Sequence, residues 1–313
     1  MDLQDIDLTG LIDTHIHTAP DVRPRTINDI EATQQAAEAG MRAIVFKSHV
    51  TCTADRAAIA ETIVPGVHVF GSVTLNDAVG GLNPVAVEAA LNLGARVVWM
   101  PTISARNHII RFDGEPPSLI RRRHSDGAPP LIKRRHSDDA PSLIKRRHSD
   151  DAPSGISLVT EEGDLQPVLF DIFDLVRQHD AVLGTAHVSV PEITALVREA
   201  RAAGVAKVVV THPELPWVDV PVDVQEELRD LGAAFERCYV SSIDGAPFAR
   251  IVTEIRRVGL DSTVLATDFG RSPLPPPVEG MRAYVAALLA EGFTNRDIQL
   301  MAGENPSRLL GLD

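Results

Sequence analysis

Residues 181–213 read AVLGTAHVSVPEITALVREARAAGVAKVVVTHP. The stretch opens with an apolar run that ends in His187. An amphipathic segment at helical spacing follows and stops at Gly204. A second, valine-rich run then ends in His212. Near-continuous apolar runs of this length suit parallel strands buried on both faces. A glycine just past a helix accepts the left-handed turn that ends it. The segment is therefore strand, helix, strand, with an imidazole at the C-terminal end of each strand.

Outward from this unit the same pattern recurs. Strand-like runs begin at Leu11 (LIDTHIHT), Arg42 (RAIVFKSHV), Val67 (VHVFGSVTL), Ala95 (ARVVWMPTIS), Glu236 (ERCYVSS) and Ser262 (STVLATDFG). Amphipathic segments end at Gly40, Gly94, Gly232 and Gly259. Eight βα units close into an α/β fold of the (β/α)8, or TIM-barrel, type, here expected as one domain over 1–313. An open, doubly wound sheet is the alternative, but no glycine-rich phosphate turn follows the first strand.

One segment departs from the pattern. Residues 117–153 hold three tandem copies of a twelve-residue unit, with His124, His136 and His148 in register. Nine Lys/Arg and five Asp give this segment a net charge of +4, inside a chain of net charge −13. Each copy offers only an adjacent Leu and Ile to bury, and its Asp-Ala-Pro punctuation interrupts helices. The repeats read as a flexible or lid-like insertion in the loop after strand 4, on the face where barrel active sites lie.

The remaining bounds are quickly set. The chain has 313 residues, of which 44% are hydrophobic, enough for a packed core. Its acidic balance argues against a nucleic-acid surface. The start, MDLQDIDLTG, shows no signal-peptide pattern, and no apolar run reaches about 18 residues, so no membrane partner is expected. Cys52 and Cys238 form no cluster, and Cys238 reads as packing, so a reducing, cytoplasmic location is expected.

Polar residues should be scarce in buried strands, yet here they collect at strand ends. His15 and His17 close strand 1, and their i, i+2 spacing puts both imidazoles on one face. Lys47 and His49 close strand 2 in the same way. His187, His212 and Asp268 end strands 5, 6 and 8. A nitrogen-rich set with one carboxylate suits Zn²⁺, or else Mn²⁺ or Fe²⁺. Three further residues are candidate substrate contacts. His49 has a structural role as its alternative, Glu214 a place as a solvated loop acid, and Arg271 a place in the lead to the last helices.

THIHT, TAHVS, VTHPE and ATDFG, in that order on strands 1, 5, 6 and 8, resemble the motifs of the amidohydrolase superfamily, phosphotriesterase-like in the broad sense. ENPSRLLGL near the C-terminus is similar to that family's closing helix. The likeness covers roughly 11–111 and 155–313. It implies that His15, His17 and Asp268 bind the more buried ion, while His187 and His212 bind a second or orient substrate. Asp268 would also take a proton from the attacking water and pass it to the leaving group. The binuclear members usually supply a carboxylated lysine or a glutamate bridge from strand 3 or 4. Here strand 4 offers Trp99, Met100 and Thr102, and strand 3 offers Thr74 and Asn76. Lys47 is the candidate for that space, carboxylated or as a plain ammonium, with a charge paired with Asp268 or another acid as its structural alternative, so one or two ions are expected.

The expected function is metal-dependent hydrolysis of an amide, ester or lactone bond in a small molecule. Two other readings stay open. One is a peptide-modifying metalloenzyme acting on its own KRRHSDDAPSLI repeats. The other is a non-catalytic barrel whose cationic arm binds an acidic partner, a second subunit of a homo-oligomer included.

Overall fold

The structure, a computed structural model, describes residues 3–111 and 155–312. Nine strands are present among them: β1 (Ile12–Ile16), β2 (Ala43–Phe46), β3 (His68–Phe70), β4 (Ser72–Thr74), β5 (Val97–Trp99), β6 (Val182–Gly184), β7 (Lys207–Thr211), β8 (Ala234–Cys238) and β9 (Thr263–Ala266). The helices are α1 (Asp29–Glu38), α2 (Ala54–Ile63), α3 (Pro84–Asn92), α4 (Arg106–Arg111), α5 (Val168–Gln178), α6 (Val190–Ala202), α7 (Val222–Asp230), α8 (Val240–Ile243), α9 (Phe248–Val258), α10 (Pro277–Ala290), α11 (Asn295–Gln299) and α12 (Asn305–Leu310). All strand pairs are parallel and in chain order. The five glycines read as helix stops all take positive φ.

In place of one eight-stranded barrel, the structure has two parallel sheets, β1-β2-β3 and β4-β5-β6-β7-β8-β9. The expected strand from Val67 breaks at Gly71, and packing explains the break. Gly71 lies against the start of α2, where a Cβ would sit 2.3 Å from the Cα of Ala54. Thr53 then occupies the gap between the sheets. Its Oγ1 donates to the Phe46 carbonyl (2.7 Å) and accepts from the Ser72 amide (2.8 Å), while its own amide donates to the Ser72 carbonyl (3.0 Å).

Hydrogen bonds also cross the other seam, between β9 and β1. The Asp268 amide donates to the His15 carbonyl and the His17 amide to the Phe269 carbonyl, both at 2.8 Å. Below them the Asp13 carboxyl accepts from the Thr267 amide (3.0 Å) and the Thr267 hydroxyl (2.5 Å). Gly270 makes the close approach possible. Its φ is +108°, and a Cβ there would fall 1.6 Å from the His17 carbonyl oxygen.

The helices pack on the outside of the strands. One core joins Val97, Leu183 and Val209 of the strands to Leu169, Ile172 and Leu196 of α5 and α6. A second joins Ile16 and Ile44 to Ile255, Met281 and Leu288 of α9 and α10. No described helix is long and apolar enough to cross a membrane.

The repeats, 117–153, lie outside the described residues, and so do the readings of them as flexible or lid-like. Their flanks are described, and they meet. Ala105 and Ile156 form a parallel bridge, the Arg106 amide donates to the Ile156 carbonyl (2.8 Å), and the Ile156 amide donates to the Ser104 carbonyl (2.7 Å). Gly155 is pressed on Arg106, where a Cβ would lie 2.6 Å from that residue's Cα. The helix expected over 164–179 is α5, and a short bridge, Val159 to Leu165, precedes it.

Candidate metal centre

The strand ends expected to carry chemistry converge on one region. His15 Nε2 lies 3.1 Å from Asp268 Oδ1, and His17 Nε2 lies 3.0 Å from the same oxygen. The His15 and His212 rings are 6.1 Å apart, and the His17 and His49 rings 4.8 Å. His187 Nε2 and His212 Nε2 approach to 3.2 Å. His15, His17, His187 and His212 are buried, His49 is partly buried, and the Asp268 side chain is 17% exposed.

The backbone at these ends is folded back. Register in β1 shifts between Asp13 and Ile16, an irregularity that re-aims side chains at the strand end. Ala186, His212 and Asp268 all have positive φ, at 54°, 33° and 54°. Such conformations cost roughly 1–3 kcal/mol each in non-glycine residues and persist where surroundings enforce them. Here the His212 amide is held by the Glu236 carbonyl (2.7 Å) and the Asp268 amide by the His15 carbonyl.

Glu236 fixes the chemistry of His15. Its Oε1 accepts from the Thr14 hydroxyl (2.7 Å), and its Oε2 lies 3.0 Å from His15 Nδ1. A carboxylate only accepts, so the proton sits on Nδ1 and Nε2 is left bare. That bare nitrogen then faces the Asp268 carboxylate with no hydrogen bond between them. A 3.1 Å contact between this nitrogen and a carboxylate oxygen is satisfied by a proton on Nε2 or by a metal ion held between them. Burial lowers the His15 pKa, but Asp268 and Glu236 outweigh it and raise it, so positive charge is favoured at this point.

The other imidazoles are held neutral, as metal ligation requires. Burial, and then Arg25, push His17 down to about 3. Burial, reinforced by neighbouring imidazoles and Lys47, holds His49 and His187 well below the usual histidine range. In His212 burial and Lys47 outweigh the opposing pull of Asp268. Burial alone would raise the Asp268 pKa, but His15 and His17 hold it well below the ordinary carboxylate range.

Several buried polar atoms here lack any hydrogen bond: His15 Nε2, His17 Nδ1, His212 Nδ1 and Lys47 Nζ. Each such group costs about 1–3 kcal/mol when left unsatisfied. Ligands about 2.0–2.2 Å from a tetrahedral or octahedral ion lie roughly 3.0–3.5 Å apart. The 3.0, 3.1 and 3.2 Å separations fall in that range. The donor set therefore fits a divalent cation. His15, Glu236 and Cys238 form a second close group. There, however, His15 Nδ1 is already bonded, and burial and the nearby acids push the Cys238 thiol well above its usual pKa. That group supports His15 rather than offering another open ligand set.

The remaining predicted residues divide. Among the described residues Lys47 forms no ion pair with an acid. Its Nζ lies 4.4 Å from the centre of the Trp99 ring, and burial lowers its pKa despite Asp268 and Glu236. His49 joins the cluster, with Nδ1 2.9 Å from Thr102 Oγ1, itself held by Asn76 (2.7 Å). Glu214 is no solvated acid. It is fully buried and paired with Arg237, which also bonds Gln225 (3.0 Å) and Glu254 (3.2 Å). That bond orients Glu214 into a network with α7 and α9 instead of towards a substrate. Arg271 is half-exposed and clamped by both oxygens of Asp244, at 2.7 and 3.0 Å.

Sequence reasoning missed two residues. Glu236 sits in the middle of β8, and a lone acid inside a buried strand was the available signal. His108 on α4 places Nδ1 2.8 Å from His187 Nδ1, which fixes that ring's orientation. Nothing in its local sequence announced it.

In overall fold the chain is similar to the solved structure of an amidohydrolase from Pseudomonas aeruginosa, at 13% identity and a TM-score of 0.58, covering 96% of this chain and 95% of that one. An organophosphorus hydrolase from Deinococcus radiodurans is similar to the same degree, at 13% identity and a TM-score of 0.58, covering 99% and 94%. No protein of curated function matches. Residues 10–236 match a family of unknown function (DUF6282), and the chain belongs to that family.

Proposed function

We propose that the chain is a metal-dependent hydrolase of the amidohydrolase type, acting on an amide, ester or lactone bond of a small molecule. One observation carries this reading: the bare His15 Nε2 and the His17 Nε2 meet one oxygen of Asp268 at 3.1 and 3.0 Å. Both structural neighbours named above are hydrolases by description, which supports the same direction. Counting β3 and β4 as halves of one strand gives eight positions, and hydrogen bonds cross both seams. That supports a single (β/α)8 barrel over the whole chain, with the 117–153 repeats inserted after its fourth strand.

In this reading His15, His17 and Asp268 hold one ion. His187 and His212 hold a second, with Lys47 beside them as a carboxylated ligand or a cation. A bound divalent ion, zinc for this donor set with manganese or iron as alternatives, brings the pKa of water to about 7 and polarises the scissile carbonyl. Asp268 is ionised at neutral pH, accepts a proton from the attacking water and returns it to the leaving group. Glu236 and His108 hold the His15 and His187 rings in place. His49, oriented by Thr102, is the candidate substrate contact at the end of β2.

Metal analysis of protein purified without chelator tests the reading. One to two equivalents of divalent metal are expected, together with turnover of members of an ester, lactone and N-acyl amino acid panel. His15→Ala with His17→Ala should lose both. Full turnover by that metal-free double variant overturns the proposal.

A further inference from the structure

The loop between β1 and α1 carries two arginines that the chemistry above does not use. The Arg25 side chain is only 3% exposed and donates through Nη2 to Asp21 Oδ2 (2.9 Å), yet its Nε is buried without a partner. Arg23 is half-buried, and its guanidinium makes no hydrogen bond or ion pair among the described residues. Nearby acids are committed elsewhere. Asp29 binds Arg56 and Thr18, and Asp244 binds Arg271. Among the described residues Asp21 is the one acid bonded to either guanidinium, through Arg25, so the Arg23 guanidinium has no acid bonded to it there.

This loop is built rather than loose. Arg56 donates to the carbonyls of Pro20 (2.8 Å) and Thr18 (3.1 Å). The Thr26 amide donates to the Gly270 carbonyl (3.0 Å), the Thr26 hydroxyl to the Leu274 carbonyl (2.8 Å), and Arg25 bridges Arg271 in antiparallel register. The loop starts directly after His17. Arg25 and Thr26 pair with Arg271 and Gly270, three and two residues past Asp268, so the loop runs along the rim that carries the centre.

We propose that Arg23 and Arg25 form an anion subsite, which takes the carboxylate or phosphate group of a negatively charged substrate beside the metal centre. The identity of that anion as part of a substrate rests on the hydrolase reading. The planar, five-donor guanidinium suits either oxyanion, and an unpaired half-buried one is stabilised by gaining such a partner. A neutral ester or amide would leave the surplus charge uncompensated.

Calorimetric titration with inorganic phosphate and, separately, with succinate tests this on full-length protein, both metal-loaded and chelator-stripped. Wild type is expected to bind at least one anion in both states, and the tighter one assigns the group as phosphoryl or carboxylate. Arg23→Gln should weaken binding at least tenfold in both states, with metal content and melting temperature unchanged. Arg23→Lys, which keeps the charge but loses the fork, should fall between them. Arg23→Gln binding like wild type overturns the subsite, as does stripped wild type that binds neither anion. Arginine-dependent binding in a protein that retains no metal would uphold the subsite and remove the hydrolase reading.

Discussion

Glu236→Gln isolates the contribution of one carboxylate to the centre. The substitution keeps the shape of the side chain and an acceptor for the His15 Nδ1–H group, but removes the negative charge at 3.0 Å. Hydrogen bonds to charged groups contribute about 1.5–3 kcal/mol, against roughly 1 for neutral ones. Loss of a partner behind a metal-ligating histidine typically costs 10–100-fold in metal affinity. At 1.4 kcal/mol per tenfold that is about 1.4–2.8 kcal/mol, in line with the bond-strength estimate. Glu236→Ala goes further, because the Thr14 hydroxyl and His15 Nδ1 both lose their buried acceptor. Each costs about 1–3 kcal/mol, so the metal-free fold should weaken as well. Zinc competition against a chromophoric chelator reads the affinity, and urea unfolding of stripped protein reads the stability. Glu236→Gln is expected to lose affinity with stability within about 1 kcal/mol of wild type, whereas Glu236→Ala loses both. Nitrogen-15 shifts of His15 should show the proton no longer confined to Nδ1. Wild-type zinc affinity in Glu236→Gln, with the Nδ1–H tautomer intact, would refute the reasoning.

Three other perturbations follow from geometry. Arg237→Met strands two buried acids, Glu214 and Glu254, and should cost about 3–5 kcal/mol of stability by denaturant titration; a loss below about 1 kcal/mol would count against the network. Gly270→Ala meets both a φ of +108° and a Cβ position 1.6 Å from the His17 carbonyl. It should therefore release the β1–β9 seam and reduce bound metal, whereas unchanged metal content and melting temperature would contradict the close approach. Asp13 is the pH-sensitive case, because burial, opposed by its bonds to Thr267 and His15, raises its pKa to about 7. The folded state thus binds a proton more tightly than the unfolded chain. Stability from this group is complete below about pH 4 and is lost as pH rises through 7. Asp13→Asn should remove that component of the slope between about pH 4 and 7, and a wild-type slope in the variant would exclude Asp13 as its source.

Local pattern carried much of the architecture. Valine-rich runs and helix-ending glycines located the strands and helix stops, because burial on both faces and left-handed turns leave direct marks on residue choice. The ends of those strands likewise pointed to His15, His17, His187, His212 and Asp268, which the structure brings together. What escaped the reading was set by partners distant in the chain. The break at Gly71 depends on Thr53 entering between strands. Glu214 looked like a loop acid because Arg237, more than twenty residues later, was not yet beside it. His108 acquires a role only when α4 packs against His187. The two arginines after His17 carried no periodicity, and the excess of guanidiniums over bonded acids there shows only once every described neighbouring acid has been assigned.

The paired flanks at Ala105 and Ile156 have an evolutionary corollary. The chain departs and re-enters at a single stapled point, so the span its ends must cover stays the same however many units separate them. Replication slippage that adds or deletes one twelve-residue copy would leave the residues that form the staple in place. The staple therefore sets no limit of its own on copy number at this point of the chain.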